Sequence, residues 1–128
     1  MSFEVAVLLN QARHQIGAFC CKGCKDIDDV TPGQDNFSSA RLAGGFRLHC
    51  IADGHGPGGH WVSDQVVRIL PYFLSSRDCR RMLCRGDVEE ALLSAFERMQ
   101  EYLISASEQD KVNLHGWHHR GVHLAADP

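Results

Sequence analysis

Residues 53–60, which read Asp-Gly-His-Gly-Pro-Gly-Gly-His, hold the side chains of this chain that are best suited to chemistry. Four glycines and a proline within these eight residues predict a tight loop whose backbone can approach a ligand or an ion closely. Asp53 supplies a carboxylate, Gly54 a main-chain carbonyl and His55 an imidazole. Because Mg²⁺ and Mn²⁺ prefer oxygen ligands, the loop indicates a site for a hard divalent cation.

A second carboxylate precedes this loop in the chain. Asp35 follows a Thr-Pro-Gly turn at residues 31–33 and stands just before a short predicted strand. If Asp35 and Asp53 lie at the ends of adjacent strands, the two carboxylates converge on one site. The alternative is that each short acidic side chain only caps a loop or a turn.

The elements that must position these residues can be read from the periodicity of the apolar residues. Residues 46–52 form the clearest strand, with alternate residues on one face: Phe46, Leu48, Cys50 and Ala52. A short strand is predicted at 36–39 and a hairpin turn at 43–45, and residues 3–10 and 14–21 are also compatible with strands. Residues 26–33 are predicted to form a surface loop.

Two amphipathic helices follow. The first covers residues 61–73 and is predicted to bend or end near Pro71. Residues 75–86 are polar and basic and are predicted to be a connection. The second helix begins at Asp87, with Glu90 at capping-box spacing. Its predicted buried stripe consists of Val88, Leu92, Ala95, Phe96, Met99, Leu103 and Ala106.

The composition of the 128-residue chain is that of an ordinary globular domain, with 44% apolar and 23% charged residues. A net charge of −3 gives no reason to expect nucleic acid or an anionic membrane as a partner. Neither a signal peptide nor an apolar run of membrane-spanning length is recognisable in the sequence. These features predict an intracellular, cytoplasmic protein.

Six cysteines are predicted to be free thiols rather than a disulfide framework. Cys21 and Cys24 have CxxC spacing, so a small zinc-binding protein that uses these thiols and the C-terminal histidines is an alternative interpretation. Buried or half-buried free cysteines are the simpler one.

The combination of a Pro-Gly-Gln-Asp-Asn-Phe segment at 32–37, a strand ending in Asp-Gly-His-Gly at 53–56, and a helix opening after it resembles the first two motifs of the metal-dependent protein phosphatase 2C (PPM) family. The resemblance covers roughly the first hundred positions, and it includes the Cys-Cys-Lys-Gly segment at 20–23. It implies an α+β fold, a sandwich of two antiparallel sheets flanked by helices. Residues 1–111 would be the N-terminal part of that phosphatase domain, with its later strands missing.

The resemblance also implies a role for each motif residue. Asp53 would bridge two Mg²⁺ or Mn²⁺ ions, the Gly54 carbonyl would complete one coordination sphere, and Asp35 would hold a metal-bound water. His55 would be the general acid that protonates the departing serine or threonine oxygen of a phosphoprotein substrate.

Two departures from the family accompany these matches. Relatives have a basic residue just before the first acidic motif to bind the substrate phosphate. The candidates for that role here are Lys22 and Lys25.

The family's next motif, Ser-Gly-Thr-Thr-Ala, and two further metal-binding aspartates do not follow. Residues 112–128 are instead an irregular, histidine-rich tail. The possible codons of this tail, when read in a frame shifted by one base, are compatible with Gly-Thr-Thr-Ala. This gives the hypothesis that the tail is translated out of frame. The expected function is therefore a protein serine/threonine phosphatase with little activity as this fragment. The alternative is a non-catalytic, pseudophosphatase-like binding module.

Overall fold

The computed structural model describes residues 20–22 and 26–112, together with the backbone of residues 124–125. The strand predicted at 3–10 lies outside the described residues, as do most of the strand predicted at 14–21, Cys24, Lys25 and the histidine cluster. Residues 20–21, at the end of that second predicted strand, are not in a strand.

An antiparallel hairpin forms the first part of the fold. Strand β1 (Asn36–Arg41) pairs with β2 (Arg47–Ala52), from Asn36 opposite Ala52 to Arg41 opposite Arg47. The turn between them is closed by the Leu42 N–H, which donates to the Phe46 carbonyl at 2.9 Å. Gly44 and Gly45 both have positive φ in this turn, at 86° and 87°, so the predicted hairpin is confirmed.

A third, two-residue strand, β3 (Leu124–Ala125), pairs antiparallel with the other edge of β2, giving the order β1-β2-β3. This backbone segment belongs to the tail that the sequence predicts to be irregular.

Three helices follow the hairpin: α1 (Gly59–Leu74), α2 (Arg77–Arg85) and α3 (Val88–Asp110). Helix α1 does not end at Pro71, because the proline lies in the last turn, where only one intrahelical hydrogen bond is lost. The buried side chains of Leu70 and Leu74 hold that turn against the core. The Ser75 N–H and hydroxyl then donate to the Pro71 carbonyl at 3.0 and 2.7 Å and close the helix end.

The prediction that residues 75–86 form a connection is wrong, because most of them belong to α2. The helix buries only Cys79 and Leu83, a pair at i and i+4 that is hidden in the sequence among charged neighbours. Its end is a Schellman motif: Gly86 has φ 88°, and the Asp87 N–H donates to the Met82 carbonyl at 3.0 Å.

Helix α3 confirms the predicted helix but differs from it in detail. The predicted capping box is not formed, since Asp87 precedes the first helical residue without a side-chain capping bond. The fully buried positions are Ala91, Ala95, Met99, Leu103 and Ser107, while Ala106 is only half-buried. The stripe is shifted toward the face that packs against α1 and α2.

The core lies on one side of the hairpin. Leu48, Cys50 and Ala52 are buried beneath α1, as the alternation predicts. Helix α1 contacts both strands on one side and α3 on the other, and α2 packs mainly on α3. The opposite face of the sheet is more open, with Ile51 57% exposed. The fold is therefore α+β; in the described part of the chain, no helix is both long and apolar enough to span a membrane.

Candidate metal centre

Asp35 and Asp53 are brought together by the register of the hairpin. The last paired residues of the two strands are Asn36 and Ala52, so the next residue on each chain, Asp35 and Asp53, continues on the same side of the sheet. Both aspartates line one cleft of about 360 Å³. The structure thus places the two acidic residues as the sequence predicts, at one end of the hairpin.

The two carboxyl groups influence each other electrostatically. The pKa of Asp35 is raised above its usual range, first by burial in the cleft and then by the negative charge of Asp53 and a hydrogen bond with its side chain. A hydrogen bond from the Gly54 backbone N–H acts in the opposite direction and lowers the pKa. The two carboxylates therefore repel each other when both are ionised, and a bound cation would reduce this repulsion.

The loop after Asp53 is held against the segment before β1. The Gly54 N–H donates to the Gln34 carbonyl at 3.2 Å, and the Gln34 Nε2 donates to the Gly56 carbonyl at 2.8 Å. Gly54 and Gly59 then pack backbone to backbone. A Cβ on Gly54 would lie 2.2 Å from the Gly59 carbonyl oxygen, and one on Gly59 would lie 2.7 Å from the Gly54 carbonyl carbon. Glycine is required at both positions because of this close approach.

The start of α1 is fastened to β1 by a polar contact inside the fold. The Asn36 Nδ2 donates to the Ser63 Oγ at 2.9 Å, and the Ser63 hydroxyl donates to the His60 carbonyl at 3.2 Å. Ser63 is only 1% exposed. The residues that flank Asp35 and Asp53 are thus fixed to rigid elements, which is what an ion site made of few ligands needs.

Lys22, a candidate for substrate phosphate, lines the same cleft. Its Nζ lies 2.9 Å from the Asp29 Oδ1, and the exposed fractions of the two side chains are 25% and 6%. The Asp29 Oδ1 also accepts a hydrogen bond from the Thr31 N–H at 3.0 Å. Lys22 is therefore an anchor for the 26–31 loop as well as a cation at the cleft. The other candidate, Lys25, lies outside the described residues.

His55 is exposed and does not line the cleft, although it directly follows Gly54 in the chain. The structure therefore brings Asp35, Asp53, Gly54 and Lys22 together, and it leaves His55 apart from them.

Cys20 and Cys21 line the cleft and were not predicted to belong to the site. The Cys20 Sγ donates to the Asp35 backbone carbonyl at 3.3 Å. The pKa of Cys20 is raised by burial, and further by the charge of Asp35 and by Cys21. No spacing rule links a thiol to an aspartate fifteen positions later, so the sequence carried no signal for this contact.

The ligands available in the cleft suit a hydrated hard cation better than a closed zinc site. Two carboxylates offer oxygen donors, and Mg²⁺ keeps several waters when bound by one or two carboxylates. Within residues 20–22 and 26–112, no group of three histidine, cysteine, aspartate or glutamate side chains is placed to hold a metal. Zinc prefers four nitrogen or sulfur ligands. Of those proposed for it from the sequence, only Cys21 is described.

Comparison of the chain with models of protein families, with curated proteins and with solved structures gave no match.

Proposed function

We propose that this chain is the N-terminal part of a Mg²⁺- or Mn²⁺-dependent protein serine/threonine phosphatase of the PPM type, a hydrolase that acts on phosphoserine and phosphothreonine. One observation carries the proposal: the carboxylates of Asp35 and Asp53 share a cleft at the end of a rigid hairpin. The tight Gly54–Gly59 turn supports it, because it leaves the backbone beside Asp53 without side-chain crowding.

In this proposal Asp53 and the Gly54 carbonyl would hold the divalent cation directly, and Asp35 would hold it through a water molecule. Bound divalent cations would lower the pKa of such a water and neutralise the phosphoryl charge. The chain's own residues supply the binding and the proton. Lys22 is placed to pair with the substrate phosphate if it exchanges its contact with Asp29. His55 would have to turn toward the cleft to protonate the leaving serine or threonine oxygen.

The same geometry predicts weak catalysis by these residues alone. Two carboxylates cannot hold a pair of hard cations firmly against water, because each ion retains most of its hydration shell. In the PPM-type sandwich, later strands would add further carboxylates and cover the open face of the sheet where Ile51 is exposed.

The test is hydrolysis and metal binding by the purified chain. Phosphate release from a phosphothreonine peptide is measured with and without Mn²⁺ for the native chain, Asp53→Asn and Asp28→Asn. Asp28 is an exposed aspartate of the 26–31 loop that does not line the cleft, so it is the matched charge control. We expect slow, Mn²⁺-dependent release that Asp53→Asn abolishes and Asp28→Asn retains. Phosphate release that depends neither on Mn²⁺ nor on Asp53 would exclude the proposal.

A second candidate is a pseudophosphatase-like module that binds phosphoproteins without hydrolysing them. It is favoured by the position of Lys22 at the cleft and by the lack of a third metal-binding His, Cys, Asp or Glu side chain among the described residues. Binding of the phosphopeptide that needs Lys22, with no phosphate release at any Mn²⁺ concentration, would select this candidate.

A further inference from the structure

Helix α2 carries a stripe of arginines whose role is not explained by the fold. Four arginines and one aspartate lie within its nine residues: Arg77, Asp78, Arg80, Arg81 and Arg85. At 100° per residue the four arginines fall within an arc of about 140°. This arc is opposite the buried Cys79 and Leu83, and all four arginines are exposed. We call these four residues the arginine stripe.

The spacing of the stripe opposes helix stability. Arg77, Arg81 and Arg85 follow one another at i and i+4, where like charges destabilise a helix. Arg77 also occupies the first helical position, where the macrodipole disfavours a positive charge. Asp78 pairs with Arg81 only at 3.6 Å, with exposed fractions of 77% and 56%.

A second pair of like charges lies at the same end of the molecule. Arg41 and Arg47 are directly opposite each other in the hairpin, and both are exposed. They flank the turn that contains Gly44, and a Cβ on Gly44 would lie 3.3 Å from the Cys84 Sγ. Cys84 is in the middle of the arginine stripe, so the hairpin turn lies beside the stripe. This end is opposite the end that carries Asp35 and Asp53.

The charge of the rest of the chain limits what can bind there. Helix α2 has a net charge of +3, whereas the whole chain has −3, so the remaining residues together carry −6. A long polyanion such as duplex nucleic acid would extend beyond the patch over the rest of the chain, whose net charge is negative, and would be repelled. A short anionic segment would meet only the basic region. The stripe is about 12 Å long at 1.5 Å per residue, which matches about four residues of extended peptide.

We propose that the arginine stripe, together with the hairpin turn, is a docking surface for a short acidic segment of a partner protein, rich in glutamate and aspartate. The charge complementarity selects this occupant, since exposed guanidinium groups at i and i+4 can each pair with successive carboxylates. The inference does not depend on the proposed phosphatase activity. It concerns the opposite end of the fold and its test involves neither Mn²⁺ nor a phosphopeptide.

The test measures the fluorescence anisotropy of a labelled hexaglutamate peptide with the full chain, alongside the same peptide with glutamine for glutamate. The variant is the double substitution Arg77→Gln, Arg81→Gln. Its matched control, Arg68→Gln with Lys111→Gln, removes two exposed positive charges elsewhere. We expect the native chain to bind the acidic peptide and not the glutamine peptide. The stripe variant should bind the acidic peptide about tenfold more weakly, which corresponds to the loss of two exposed ion pairs. The affinity of the control variant should be nearly unchanged.

Thermal unfolding separates lost binding from lost folding. Because the stripe variant removes like-charge repulsion, we expect it to unfold at the same or a higher temperature than the native chain. Equal binding of the glutamine peptide, or equal loss in both variants, would overturn the docking surface. Tighter binding of a short DNA duplex than of hexaglutamate would overturn the choice of an acidic protein segment as the occupant.

Discussion

Asp35 and Asp53 stand one residue beyond the last paired residues of the hairpin and line one cleft, where burial and the negative charge of Asp53 raise the pKa of Asp35. The two side chains come from different strands, and the intervening chain returns through a five-residue turn at 42–46. The cleft around them keeps one of the two, Asp35, partly buried. A pair of like charges in this position lowers the stability of the folded chain unless a proton or a cation lies between them. The effect of the pair can therefore be measured as a change in stability with pH or with cation concentration.

Asp35→Asn is expected to stabilise the metal-free protein at neutral pH. The folded-state pKa of Asp35 is raised above its unfolded value of about 3.9, so ionisation favours the unfolded state. The stabilising contribution of protonated Asp35 is complete below about pH 3.9 and is lost as the pH rises through the folded pKa. Because the site is solvent-screened, we expect a gain of about 0.5–1 kcal/mol in the free energy of unfolding at pH 7.

Urea unfolding of the native chain and of Asp35→Asn from pH 3 to pH 7 checks this prediction. The difference between the two should grow with pH, whereas Asp28→Asn should show no such trend. If Asp35→Asn is less stable than the native chain at pH 7 and equally stable at pH 3, the ionised Asp35 carboxylate is stabilised by a partner and the predicted repulsion from Asp53 is wrong.

Mn²⁺ is expected to reverse the order of stability. A cation that binds only the folded state raises the unfolding temperature with concentration, and it needs both carboxylates. The native chain should therefore gain stability on titration with Mn²⁺, while Asp35→Asn and Asp53→Asn gain little. The measurement is the unfolding temperature against Mn²⁺ concentration, with Asp28→Asn as control. Equal shifts in all four proteins would place the bound Mn²⁺ elsewhere.

Gly54→Ala is expected to destabilise the loop strongly. Its Cβ would lie 2.2 Å from the Gly59 carbonyl oxygen and 2.5 Å from that of Gln34, and both of these contacts are backbone atoms that cannot move cheaply. Gly33→Ala is the matched control, since its Cβ would meet only the Lys22 Cβ at 3.4 Å, an ordinary contact. We expect a loss of about 2 kcal/mol or more for Gly54→Ala and less than about 0.5 kcal/mol for Gly33→Ala. Similar values for the two variants would mean that the Gly54–Gly59 approach is not required.

Cys50 is expected to resist alkylation in the folded chain. It is 1% exposed, and burial raises the pKa of its thiol to about 11. The reactive thiolate is therefore scarce at neutral pH. Cys84, which is exposed on α2, is the internal comparison. Peptide mapping after brief treatment with iodoacetamide at pH 7.5 should find Cys84 modified and Cys50 protected until urea is added. Early labelling of Cys50 would contradict the packing of β2 beneath α1.

The Asn36–Ser63 hydrogen bond is expected to couple the hairpin to α1. Ser63 is buried, so removing either partner leaves a polar group without its bond. Asn36→Ala and Ser63→Ala should each lower the free energy of unfolding by about 1–2 kcal/mol, and the double variant should lose less than the sum by about 1 kcal/mol. A double-mutant cycle measured by urea unfolding tests this, and additive losses would show that the two residues do not interact.

The sequence alone predicted the hairpin, the positions of α1 and α3 and the meeting of Asp35 with Asp53. These features follow from local rules: alternation at period two fixes which residues of β2 face the core, and a short turn fixes the register that sets the two aspartates opposite each other. Glycine-rich composition likewise predicted the tight loop after Asp53, though not the reason for it, which is the contact with Gly59.

Only the tertiary structure decided the remaining features. Helix α2 buries just Cys79 and Leu83, so its helicity depends on a surface provided by α3, which periodicity in a charged segment does not reveal. The placement of Cys20 against Asp35 and of Lys22 against Asp29 depends on how the chain before β1 folds back over the cleft. Contacts between residues that are distant in sequence are set by the packing of the whole fold, so the type of either residue alone does not predict the contact.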